Sequence, residues 1–108
     1  MIMVEVRIER DEEGRIRAVS LKGNGGAEGL AAMALVEAPL LGMRYYLHLS
    51  PEASRAEDGI SYTVDRSDPF LDRELDAILE TMLLGLRALE RDRPGSIVVR
   101  EVGLDVKV

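Results

Sequence analysis

Ile2, Val4, Val6 and Ile8 alternate with Met3, Glu5, Arg7 and Glu9. A period of two puts the first set on one side of an extended chain and the second on the other, so this segment predicts a strand with one buried face. Such a strand needs a sheet to pair with and a second layer to cover its apolar side. Residues 11–14, Asp-Glu-Glu-Gly, supply turn chemistry, with Gly14 free to take positive φ. Residues 15–22 then resume an extended pattern, which completes a predicted β-hairpin.

Residues 23–26, Gly-Asn-Gly-Gly, break the second strand and lead into a stretch of helix formers over residues 27–38. Pro39 is expected to end or kink that helix. Residues 40–49 are apolar enough for either a further helical segment, the favoured reading, or a buried strand. Residues 50–59, with Pro51 and four charged side chains, read as a surface loop. Ile60, Tyr62 and Val64 then alternate with Ser61, Thr63 and Asp65 as a strand.

The sharpest helix signal follows. Asp68 is the expected N-cap and Pro69 the first helical residue; Asp72, Glu74 and Asp76 load the positive end, and Arg87, Arg91 and Arg93 the negative end. Leu71, Leu75, Ile78, Leu79, Met82, Leu86 and Leu89 recur at spacings of three and four and form an apolar stripe, which Pro94-Gly95 stops. Leu83 and Leu84 widen it, either for a generous core or for a partner subunit.

Residues 96–102 are nearly continuously apolar and predict a central strand; Leu104, Val106 and Val108 continue an alternation beyond Gly103. The order β-β-α-(α)-β-α-β predicts an α+β fold. This is a two-layer sandwich, a small mixed sheet packed on two helices, as a single domain over residues 1–108.

Composition narrows the function classes. A chain of 108 residues buries about two-thirds of its unfolded surface and needs no staple. It has no cysteine, hence no disulfide and no thiolate metal site, which makes the cytoplasm the default location. Residues 1–10 lack the apolar run of a signal peptide, and no segment is expected to reach the ~20 apolar residues of a membrane span. A net charge of −6 opposes nucleic acid and suits a basic peptide, although it also simply keeps a small domain in solution. Arginine far outnumbers lysine, glutamine is absent and Asn24 is the sole asparagine, a pattern seen in thermophile proteins.

Few residues offer chemistry. The loop over residues 23–29, with Gly23, Asn24, Gly25, Gly26 and Glu28, lies between a strand and a helix, where N–H groups could hold an anion. It lacks the Lys-Ser/Thr ending of a P-loop and the spacing of a dinucleotide site, so no cofactor is expected and a flexible turn is the plainer reading. His48 lies in the apolar stretch Tyr45-Tyr46-Leu47-His48-Leu49; with no other histidine or cysteine, no metal site is expected, and a hydrogen-bonded core or edge histidine is the plainer reading. Nothing places Ser20, Ser61, Ser67 or Ser96 beside that imidazole as a nucleophile. The carboxylates of residues 11–13 belong to a turn and those of Asp72, Glu74, Asp76 and Glu80 to a solvated helix face. An enzyme or anion-binding site built from Asn24, Glu28 and His48 would require those three to converge.

The order of elements, the small-residue helix after the glycine loop, and the run Met82-Leu83-Leu84-Gly85-Leu86-Arg87-Ala88-Leu89 leading through Asp92-Arg93-Pro94 into Ile97-Val98-Val99 resemble the ribosomal-processing cysteine protease family, Prp. In that family a Gly-His-Ala turn carries the catalytic histidine and an Asp-x-x-Cys-Ala-Ala-x-Ser helix start carries the nucleophile. Asn24 stands at the histidine's place and Met33 approximately at the cysteine's; a slip onto Ala31, Ala32 or Ala34 recovers no thiol. The resemblance therefore implies a pseudoenzyme with vestigial positions at Asn24 and Met33. It also implies a homodimer, with a groove for the basic tail of a ribosomal protein lined by Asn24, Gly25, Glu28 and Met33.

Overall fold

The computed structural model describes residues 3–23 and 25–103. Strands β1 (Val4–Arg10), β2 (Ile16–Gly23), β3 (Ala53–Ala56), β4 (Gly59–Thr63) and β5 (Ile97–Val102) form one sheet in the order β3-β4-β2-β1-β5. All pairs are antiparallel except β1 with β5, which is parallel. Helices α1 (Gly26–Tyr45) and α2 (Asp72–Asp92) cover one face, giving the expected two-layer mixed-sheet sandwich. The element order is β-β-α-β-β-α-β. Ile2, Asn24, Leu104, Val106 and Val108 lie outside the described residues.

The alternation that predicts β1 is realised: Val4, Val6 and Ile8 are buried, while Glu5 and Arg7 face out. They meet Val19, Leu21, Ile60, Tyr62, Ile97 and Val99 from the other strands and Val36, Leu40, Met43, Leu75, Leu79 and Leu86 from the helices in one core. At the β1/β2 turn the Asp11 carboxylate accepts the N–H groups of Glu13 and Arg15, both at 2.9 Å, and Gly14 takes φ 83°.

Four expectations are corrected. Residues 50–59 are not wholly loop, because Ala53–Ala56 pairs with β4 as an exposed edge strand; with both faces solvated it has no apolar alternation to betray it. Pro39 does not end α1, which runs unbroken through residue 45. The ring costs the bond to the Leu35 carbonyl but is itself buried on the inner side of the helix, which offsets the loss. Residues 97–102 form an edge strand rather than a central one. The outward main chain of Val99 is satisfied by α2: its N–H donates to Glu90 at 2.9 Å and its carbonyl accepts from Arg87 at 2.8 Å. Finally, α1 is one helix long and apolar enough to cross a membrane by length and composition, a stretch that Pro39 divides in the sequence reading; its inner side is part of the core.

Asp68 caps as expected, but caps a 3-10 turn over Pro69–Leu71 that precedes α2, accepting the Phe70 N–H at 3.0 Å. Leu83 is buried and Leu84 is 71% exposed, so only Leu84 extends the stripe outward.

Candidate functional site

The glycine loop joins β2 to α1 under the pressure of Met3. At Gly23 (φ 106°) a Cβ would stand 2.3 Å from the Met3 carbonyl oxygen, and at Gly25 (φ 143°) 2.3 Å from the Met3 methyl carbon. Gly23 therefore demands glycine for space as well as for backbone conformation, whereas at Gly25 the Met3 methyl can swing aside and the positive φ is what favours glycine. The Gly23 N–H donates to the Asp58 carbonyl at 2.8 Å, tying the loop to the β3/β4 turn. Gly25 precedes α1 with no side-chain cap, and the Gly29 N–H returns to its carbonyl at 3.0 Å.

Glu28 lies in the first turn of α1, its Oε1 3.5 Å from where a Gly26 Cβ would be, and Oε2 3.6 Å from Arg93 Nε at the end of α2. A carboxylate here complements the helix dipole and opposes a second anion at the same N-terminus. Met33 is partly buried and packs against the core. Asn24 lies outside the described residues.

His48 is placed elsewhere. It follows the C-terminal end of α1, exposed, in the left-handed region at φ 57°. A helix of 20 residues is about 30 Å long, so Glu28 and His48 are separated by nearly the full length of α1. They do not converge on one pocket, and among the described residues the imidazole makes no side-chain hydrogen bond. The expectation of a hydrogen-bonded core or edge histidine is likewise corrected: the residue follows the helix end with αL geometry and is exposed.

Two surfaces escaped the sequence reading. On the helix-free face of the sheet, Arg100, Arg7, Ser20, Ser61 and Ser54 stand side by side across all five strands. Adjoining shallow clefts of about 390 and 450 Å³ share Ser20, Ser54 and Ser61. Ser20 and Ser61 were visible as polar positions in strands, while Ser54 lay in a predicted loop, and the juxtaposition of all three depends on register. The second surface is an apolar groove of about 440 Å³ between α1 and α2, with Leu35, Pro39 and Gly42 facing Ile78 and Met82.

No protein-family model and no curated protein matches the sequence. Solved structures do. SMU.848 from Streptococcus mutans aligns with a TM-score of 0.76 at 16% identity, over 94% of this chain and 96% of that one. The essential ribosomal processing protease Prp from S. aureus, in complex with a substrate peptide, aligns with a TM-score of 0.75 at 21% identity, over 92% of this chain and 99% of that one. The fold is Prp-like. The same Prp with a covalently linked product peptide aligns with a TM-score of 0.74. At these identities the likeness to Prp establishes architecture; function has to be argued from the side chains.

Proposed function

We propose that this chain is a non-catalytic Prp-like protein of the cytoplasm that binds an extended basic peptide, with the tail of a ribosomal protein as the first candidate. The binding region would be the glycine loop and the start of α1, with Gly25, Glu28 and Met33 in contact. One observation carries the reading. On the fold of a protease solved with substrate and product peptides, the chain has no cysteine and its single histidine stands a helix length from the loop. Peptide hydrolysis by a thiolate needs an imidazole beside it, and neither a thioether nor an amide replaces either group. Binding needs no such pair. The net charge of −6, with Glu28 at the loop, favours a basic ligand.

Fluorescence anisotropy with a labelled Lys/Arg-rich peptide and an acidic peptide of equal length tests this. The basic peptide is expected to bind at low salt and weaken about tenfold or more as screening rises. Glu28→Ala should weaken it, while Glu74→Ala at the far end of the molecule should not. Equal binding of both peptides, or no loss on Glu28→Ala, removes the assigned site. Cleaved peptide in the mass spectrum removes the non-catalytic reading.

A further inference from the structure

We propose that the free edge of β3 docks an extended basic peptide, which adds to the five-stranded sheet as a further strand beside Ala53–Ala56. The choice of ligand rests on the basic-peptide reading above; the surface is a second one, separable from the glycine loop.

The phase of the β3/β4 ladder decides which main-chain groups are free. The Thr63 N–H donates to the Glu52 carbonyl at 2.9 Å, one step before the paired residues Ala53 and Tyr62. Bonded and non-bonded positions alternate along an antiparallel pair, so Ser54 with Ser61 and Ala56 with Gly59 are the next bonded positions. Ala53 and Arg55 therefore turn their N–H and C=O groups away from β4, and no partner for these groups occurs among the described residues. Two donors and two acceptors line the edge.

Nothing along β3 guards it. Edge strands are commonly protected by a proline, a bulge or a charge projecting past the edge. Ala53-Ser54-Arg55-Ala56 has no proline, its register with β4 is unbroken, and its one charged side chain is drawn onto α1 by Glu37. At the far side of the sheet the outward groups of Val99 are already filled by Glu90 and Arg87. Side chains of an added strand would alternate between the two faces, and those on the helix-free face would meet the clefts in which Ser54 lies beside Ser61 and Ser20.

Charge selects the occupant. Glu52 precedes β3 and Glu57 and Asp58 follow it, and none of the three has an ion pair among the described residues. A basic strand sets cations against carboxylates at both ends of the edge. A second copy of β3 laid antiparallel would instead bring Glu52 against Glu57 and Asp58, a repulsive pairing. The same turn leads to the assigned loop, because the Asp58 carbonyl holds the Gly23 N–H at 2.8 Å.

Titration of the full chain with the labelled Lys/Arg-rich peptide, read by anisotropy and by hydrogen exchange, tests this. The Ala53 and Arg55 amides should exchange freely without peptide and slow by about tenfold or more with it. Ala53→Pro removes an N–H that β4 does not use, so the far-UV spectrum and thermal midpoint should stay those of the folded chain while affinity falls about tenfold. The same peptide N-methylated on successive central amides keeps its charge, leaves the protein unaltered and should lose as much. Undiminished binding of the N-methylated peptide, or no added protection at Ala53 and Arg55 under saturating peptide, overturns the proposal. If Glu28→Ala weakens binding and Ala53→Pro does not, the edge falls and the loop site stands; the opposite pattern keeps the edge and removes the loop site. Protection of the two amides that rises with protein concentration alone assigns the edge to a second copy and overturns the proposal as well.

Discussion

Gly14 and Gly23 both adopt positive φ, 83° and 106°, but for different reasons. Nothing lies within 4 Å of a Cβ built on Gly14, whereas one on Gly23 would meet the Met3 carbonyl at 2.3 Å. Gly14→Ala should therefore cost only the left-handed backbone penalty, about 1 kcal/mol. Gly23→Ala adds a backbone clash and should cost about 2–4 kcal/mol. Urea denaturation separates the two, and equal losses would show that crowding by Met3 is not what fixes Gly23. Turn glycines are legible in a sequence because the residue type itself announces the need. The reason for Gly23 was not legible, since Met3 is brought to it by the pairing of β1 with β2 from twenty residues away.

Single contacts between elements decide how the layers are joined. Tyr62 of β4 is buried, and its hydroxyl donates to the Val36 carbonyl of α1 at 2.7 Å; burial pushes the phenol's pKa upward. Tyr62→Phe keeps the packing and loses this bond, so a loss of about 1 kcal/mol is expected in urea or thermal unfolding. An unchanged stability would mean that β4 and α1 are joined by packing alone. β1, β4 and α2 were legible because each carries a buried face at a regular period, and α2 also carries its end signals; β2, whose buried Ile16 and Val19 stand three apart at a register shift, was legible from the turn that precedes it. β3 was not, because four exposed residues carry no period, and its identity as a strand comes from β4. Pro39 misled for the opposite reason: a local rule against helix interiors yielded to burial of the ring. In the candidate site, the glycine break after β2 and a helix following it were legible to within a residue, and the separation of His48 from them follows only once α1 is seen to be one helix rather than two.

Across the whole molecule, carboxylates brace turns and join separate segments of the chain. Asp11 lies below the usual carboxylate range: burial works to raise it, and hydrogen bonds from Arg15 and Glu13 more than offset that. Asp65, at the end of β4, is lowered by hydrogen bonds from Ser67 and from the Ser50 N–H. Glu101 is lowered by Arg87 and then Arg10. A carboxylate with a depressed folded pKa stabilises fully above its ordinary value of about 4 and loses that contribution as pH falls through the folded value. Thermal midpoints should hold from pH 7 to about 5 and fall below about 4. Asp65→Asn should melt lower at neutral pH and show a shallower acid decline. A midpoint unchanged down to about pH 3 would remove these groups from the account of stability.

The clasp on Val99 has a consequence for growth. Glu90 and Arg87 offer the middle of β5 the acceptor and donor that another strand would bring, so a neighbour adding there would first have to displace two ionic side chains held by α2. The opposite edge, β3, has no such clasp among the described residues. Among the described residues β3 is therefore the edge more open to an added strand, and at β5 a newcomer competes with the same two residues that anchor the last strand to α2.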